Sequence, residues 1–264
     1  MKTKLSSPRL SRGGFTLTEL LVVIAIIGIL AGMLLPVLAK VPDKAKKMKA
    51  KAEMADLVNA INAYDTDYGR FPMTSGAGSE QYFAGTNDFT CGYVQNPQTG
   101  VTWLGINSGW TYGNNSNVVA ILMDLTTYPN GLPTQNINHQ KNPKQVKYLN
   151  AKLSGDPGTG SQPLGGVDNN GIYRDPWGNP YVITMNSSYN EQGTKDFFYS
   201  TKNVSQQSGT AGYNGLFNPV DNNGNGDHFL YHGKVMVWSA GPDKQVDPNA
   251  NATVGLNKDN VVSW

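Results

Sequence analysis

The feature that most constrains this chain is an apolar run of 25 residues, Phe15 to Ala39, broken only by Thr16, Thr18, Glu19 and isolated glycines. As a helix it is about 37 Å long at ~1.5 Å per residue, enough to cross a bilayer. A polar, basic stretch precedes it, with Lys2, Lys4, Arg9 and Arg12 ahead of Gly13-Gly14. An ordinary secretory signal has a shorter apolar core that ends at its cut site. Here the compositional break comes before the apolar run, so a cut there leaves that run on the mature protein. The acid within it, Glu19, is costly inside a membrane and requires a partner. The run contains no Lys or Arg. Cleavage after Gly14 creates a cation, the amine of Phe15, one helical turn from Glu19.

Composition separates this segment from the remainder. The mean hydropathy of −0.40, with 30 Gly and 15 Pro, describes a polar, loop-rich body. Without the four basic residues before Gly14, 17 basic residues face 19 acidic ones. That near-neutral balance lacks the basic face of a nucleic-acid binder. A single cysteine, Cys91, excludes an intrachain disulfide and reads as a small core thiol.

The segment Gly14-Phe15-Thr16-Leu17-Thr18-Glu19-Leu20, followed by Leu21 through Ala31, resembles the cleavage and methylation motif of type IV pilins and type II secretion pseudopilins. The resemblance covers about the first fifty residues. It implies a leader at 1–14, cleavage between Gly14 and Phe15 by a prepilin peptidase, and methylation of the new amine. Glu19 and Pro36 then occupy the family's docking-glutamate and kink-proline positions. Pro36 by itself removes a helix N–H and crowds the carbonyl of Gly32. The resemblance further implies a single-pass inner-membrane protein with a periplasmic head. Its partners would be copies of itself, minor pseudopilins, an inner-membrane assembly platform and membrane lipid.

From Ala50 the helical period is plain. Ala50, Met54, Leu57, Ile61, Tyr64 and Tyr68 recur at three or four residues, with Asp56, Asn59, Asn62 and Asp65 between them. The sequence therefore predicts one helix with a transmembrane half at 15–39 and an amphipathic half at 40–68, stopping near Gly69. Lys40, Lys44, Lys46, Lys47, Lys49 and Lys51 lie at its middle and run against the positive-inside bias if the leader is cytoplasmic.

The head, 69–264, is predicted to be α+β. Residues 73–170 form a loop-rich insertion with a short helix near Val118 to Leu125, and the aromatics Tyr82, Phe83, Phe89, Tyr93, Trp103, Trp110 and Tyr112 suit either a core or a binding surface. Tyr173-Arg174-Asp175-Pro176-Trp177-Gly178-Asn179-Pro180-Tyr181 is a turn leading into a β-rich run to Met185, and it resembles the signature that opens the sheet of major pseudopilins. Strands are expected at Phe197 to Ser200 and Lys234 to Ser239, in a small antiparallel sheet covering the helix. The C-terminal segment resembles the same family's final, calcium-holding loop, which makes Asp243, Asp247, Asp259 and Asn260 candidate ligands. Asp221, Asn223, Asn225 and Asp227 form a weaker candidate, since the twelfth position of that loop is His232 rather than Glu.

No nucleophile elbow, phosphate loop or zinc spacing is present. The expectation is a structural subunit of a secretion pseudopilus rather than an enzyme. The alternative is a surface pilin displaying an adhesive or ligand-binding head.

Overall fold

The computed structural model describes residues 15–38, 41–74, 88–92, 114–154, 164–206, 212–219, 229–247 and 249–264. The chain divides into two compact units, residues 1–44 and 45–264.

The described part of the first unit is dominated by helix α1 (Leu17–Leu38), whose backbone stays helical through Pro36. Its large apolar side chains from Leu17 to Met33 are all exposed. A helix apolar all round has no water-compatible face and requires a different surrounding. Among the described residues no helix is long and apolar enough to cross a membrane. On α1 the described side chains end at Met33, whereas the helical backbone continues to Leu38. Helix α2 (Val41–Tyr68) follows, and Ala39 and Lys40 lie outside the described residues.

In the second unit the predicted period of α2 becomes a core. Ala50, Met54, Leu57, Ile61 and Tyr64 are buried, Tyr68 is half-buried against the same core, and Ala60 joins them; burial of each of the larger ones contributes about 1.5–3 kcal/mol. The helix stops where expected: Gly69 takes φ +64° and its N–H reaches the Asp65 carbonyl at 2.8 Å, a left-handed cap that glycine adopts without strain.

The sheet that covers α2 is wholly antiparallel, in the order β1 (Phe89–Cys91), β4 (Val182–Met185), β5 (Val235–Ser239), β6 (Val261–Val262). Thr184 pairs with Met236 and Ile183 with Val237. Strand alternation sends Ile183, Met185, Val235 and Val237 into the core shared with α2. Val182, Met236, Trp238 and Val262 pack instead on the opposite face with Phe198, Tyr199, Val204, Leu216 and Phe229. Both faces are therefore buried, which is why β4 and β5 read as continuous apolar runs and not as the alternation of a half-wet sheet.

Three further elements brace this frame. Helix α3 (Ser116–Leu122) is buried along most of its length, as the sequence predicted to within two or three residues. Asn115, just before it, accepts from the Tyr173 N–H and donates to the carbonyls of Tyr173 and Tyr181, each at 2.9 Å. It thereby ties α3 to the ribbon of β2 (Gly166–Val167) and β3 (Tyr173–Arg174). A one-turn helix, α4 (Lys202–Ser205), lies in the loop layer over the second face. Of the aromatics named in the insertion, Phe89 is fully buried in β1, and the other six lie outside the described residues. Cys91 is buried as expected.

The strand expected at Phe197 to Ser200 is a turn. The Asp196 carboxylate accepts the N–H groups of Phe198 and Tyr199 at 3.0 and 2.9 Å, and Ser200 donates back to the Asp196 carbonyl. A buried Asp that takes these amides withdraws them from any ladder.

Candidate functional site

Phe15 is 81% exposed and precedes α1, whereas Gly14 and the rest of the leader lie outside the described residues. Because the helix begins at Leu17, Phe15 stands outside its first turn. Thr16 is the residue that engages Glu19. The Glu19 carboxylate accepts from the Thr16 backbone N–H at 2.8 Å and from its hydroxyl at 2.7 Å. The Glu19 N–H in turn reaches the Thr16 hydroxyl at 3.3 Å, and the Thr16 carbonyl accepts from Leu20 at 3.2 Å. This is a reciprocal capping box, Thr-x-x-Glu at the start of a helix. The sequence reading assigns Glu19 a cation and misses this neutral donor, although the Thr-x-x-Glu spacing of three residues signals it. The carboxylate is thus held locally and stays exposed, accessible to a further charged partner. Pro36 lies within the helical backbone, and its side chain is outside the described set.

The head's organising residue is Asp175, at the turn before β4. Its side chain is fully buried. One oxygen accepts the N–H groups of Trp177 and Asn179, each at 2.8 Å, and the other accepts the Asn179 amide at 2.8 Å and the Ser239 hydroxyl. Asn179 also donates to the Gly241 carbonyl at 2.7 Å, so one carboxylate links the turn to the end of β5. Burial pushes the Asp175 carboxyl above its usual range, and the hydrogen bonds only partly offset this. Glu53 on α2 is shifted up in the same direction by burial, and it accepts the Tyr181 hydroxyl at 2.6 Å. The motif that reads as a turn therefore also fastens helix to sheet.

The C-terminal oxygens named from the sequence are partly brought together. Asp243 donates its backbone N–H to the Asp259 carboxylate at 3.3 Å. Burial first, and then the charge of Asp259, push the Asp243 carboxyl up. Asp259 Oδ1 and Asn260 Oδ1 are buried without a hydrogen-bond partner. The Asp247 carboxylate instead closes a local turn with the Asn249 N–H at 2.9 Å, and its carbonyl accepts from Asn257. Among the described residues no three His, Cys, Asp or Glu side chains gather around one point. Asp221, Asn223, Asn225 and Asp227 lie outside the described residues.

Comparison with known proteins places these observations. Residues 9–35 match the prokaryotic N-terminal methylation motif. Over 66 residues, 25% of this chain, the sequence is 42% identical to the type II secretion system core protein G of Klebsiella michiganensis. It is 43% identical over 63 residues to that of Aeromonas hydrophila, and 44% identical over 62 residues to that of Escherichia coli K12. These matches span 46, 44 and 43% of the respective relatives, less than half the length of each. No solved structure matches the chain significantly. The chain carries a prepilin-type N-terminal motif and is related, over about a quarter of its length, to type II secretion system core protein G.

Proposed function

We propose that this chain is a pseudopilin, a structural subunit of a type II secretion pseudopilus, and not an enzyme. A prepilin peptidase cuts it between Gly14 and Phe15 and methylates the new amine. The subunit is held in the inner membrane by residues 15–39, with its head in the periplasm, and is drawn from there into a filament. The observation that carries the reading is the pairing of a methylation motif with a helix whose large apolar side chains from Leu17 to Met33 are all exposed. Such a helix is stable only when lipid or other helices cover it. Glu19, held by Thr16 yet open to its surroundings, supplies the charge that selects the amine of a neighbouring copy.

Mass spectrometry of the mature N-terminus tests the processing step: a methylated Phe15 is expected, and a retained leader or a cut elsewhere overturns it. Replacing Glu19 with Ala should abolish filament formation while the head stays folded. In the native host, loss of the gene should block exoprotein release. Lost surface attachment with export intact would favour a surface pilin instead.

Calcium at the final loop is part of the same proposal. Asp243, Asp259 and Asn260 would hold the ion, which supplies positive charge to two neighbouring carboxylates and a ligand site for the two orphaned oxygens. Calcium should raise the head's melting temperature, and Asp243→Ala or Asp259→Ala should remove the rise. An unchanged melting temperature in the parent chain eliminates the site.

A further inference from the structure

We propose that the lysines at the start of α2 form a collar that binds the headgroups of anionic phospholipid. This deepens the membrane reading given above and rests on it. Residues 40–51 contain six lysines and one acid, Asp43. Lys44, Lys46, Lys49 and Lys51 are exposed and Lys47 is half-buried. At about 3.6 residues per turn, Lys44, Lys47 and Lys51 stack on one side of the helix, while Lys46 and Lys49 fall on the other. The charge therefore encircles the helix and does not mark a single solvated face. Met48 is 74% exposed, and the core face of α2 begins only at Ala50.

Like charges three and four residues apart destabilise a helix unless a countercharge is supplied. Among the described residues Lys49 has one, with Glu53 at 3.7 Å. Among the described residues Lys44, Lys46, Lys47 and Lys51 have no carboxylate within ion-pair distance. Lysines on the non-cytoplasmic side also oppose the usual topological bias, and an external anion would relieve their mutual repulsion. The collar begins one residue after the apolar run ends. From Lys44 to Lys51 it rises about 10 Å, comparable to the ~5–8 Å headgroup layer on one side of a bilayer. Acidic faces of neighbouring copies are the other possible source. Among the described residues of the head Asp65, Asp88, Asp168, Asp175 and Asp196 are buried and cannot serve, whereas Asp56, Asp67, Glu191 and Asp243 are exposed. A phosphate plane beside the apolar segment meets the need directly, and it attracts such lysines in a salt-dependent way.

The test uses the processed full-length chain in nanodiscs of phosphatidylcholine, alone or mixed with phosphatidylglycerol, with native mass spectrometry counting the lipids retained. Phosphatidylglycerol should be enriched on the parent chain and lost at high salt. Each single Lys→Gln change at positions 44, 46, 47, 49 and 51 should lower the enrichment by up to about fivefold. The combined Lys→Gln variant should abolish it, and the combined Lys→Arg variant should retain it. A chain that inserts in both nanodiscs without lipid preference overturns the collar and leaves the membrane reading standing. A chain that inserts in neither overturns the membrane reading itself, and the collar with it. If the combined Lys→Gln variant keeps its lipid enrichment but loses copy-to-copy crosslinking, the lysines serve an acidic neighbour and the proposal fails.

Discussion

The first helix and the head treat polarity in opposite ways. Helix α1 leaves its large apolar side chains from Leu17 to Met33 uncovered and holds its one acid at the surface in a capping box. The head buries whole carboxylates, Asp175 and Asp196, each amid four hydrogen-bond donors. A segment that is incomplete by itself has its structure finished by its surroundings. One that satisfies its own buried charges carries its structure with it.

The largest expected effect tests that division directly. Residues 45–264 expressed alone should be soluble and monomeric and should melt where the detergent-solubilised chain melts, whereas residues 15–264 without detergent should aggregate. A head that fails to fold without α1 would break the contrast. Next, Asp175→Ala should destabilise the head by about 3–5 kcal/mol in chemical denaturation, because it strands buried donors on both the turn and β5. A loss below about 1 kcal/mol would show that the network is replaceable.

Leu57→Ala should cost the head about 2–5 kcal/mol. Leu21→Ala on α1 should leave the head's melting temperature unchanged, so a shared effect would mean that the two regions are not independent.

The pH dependence sharpens the comparison further. Burial raises the carboxyls of Glu53, Asp88, Asp175 and Asp196 in the folded head. A group whose folded value lies above its unfolded value binds its proton more tightly when folded. Its contribution is complete below about pH 4, the unfolded value, and is lost as pH rises through the folded one. Calcium-free head should therefore gain melting temperature as pH falls from 7 toward about 4. Asp67, shifted down by its bonds to Tyr148 and Lys144, works against the trend. Calorimetry showing a steady loss over that range would contradict these shifts. The smallest effect belongs to the exposed pair: Lys49→Ala should change stability by at most about 0.5 kcal/mol.

What the sequence made legible was periodic. The face from Ala50 to Tyr68 repeats often enough to identify itself, and its periodic residues are buried except for Tyr68, which is half-buried. Strands β4 and β5 were visible as apolar runs bounded by turn residues, to within a residue at the N-terminal end of each. Strands β1 and β6 are three and two residues long, too short to show any alternation. The turn at Phe197 was misread because its outcome depends on Asp196, whose burial is decided by Trp238 and Thr184 far along the chain. Asp175 was seen as part of a turn. Its bond to Ser239, 64 residues away, has no local signature. Similarly, Asp247 looked like a ligand beside Asp243 and Asp259, and the local turn that occupies its side chain was not apparent from composition.

The bond from Tyr181 to Glu53 joins residues 128 apart, and the ion pair from Lys234 to Asp65 joins residues 169 apart. The strands that shield α2 are thus made long after α2 itself. During synthesis its greasy stripe emerges early and must wait, uncovered, for β4, β5 and β6. Closure of this core is a late, slow event governed by contacts distant along the chain. Until those last strands arrive the stripe stays open to neighbouring chains, the state in which a folding polypeptide is most prone to aggregate.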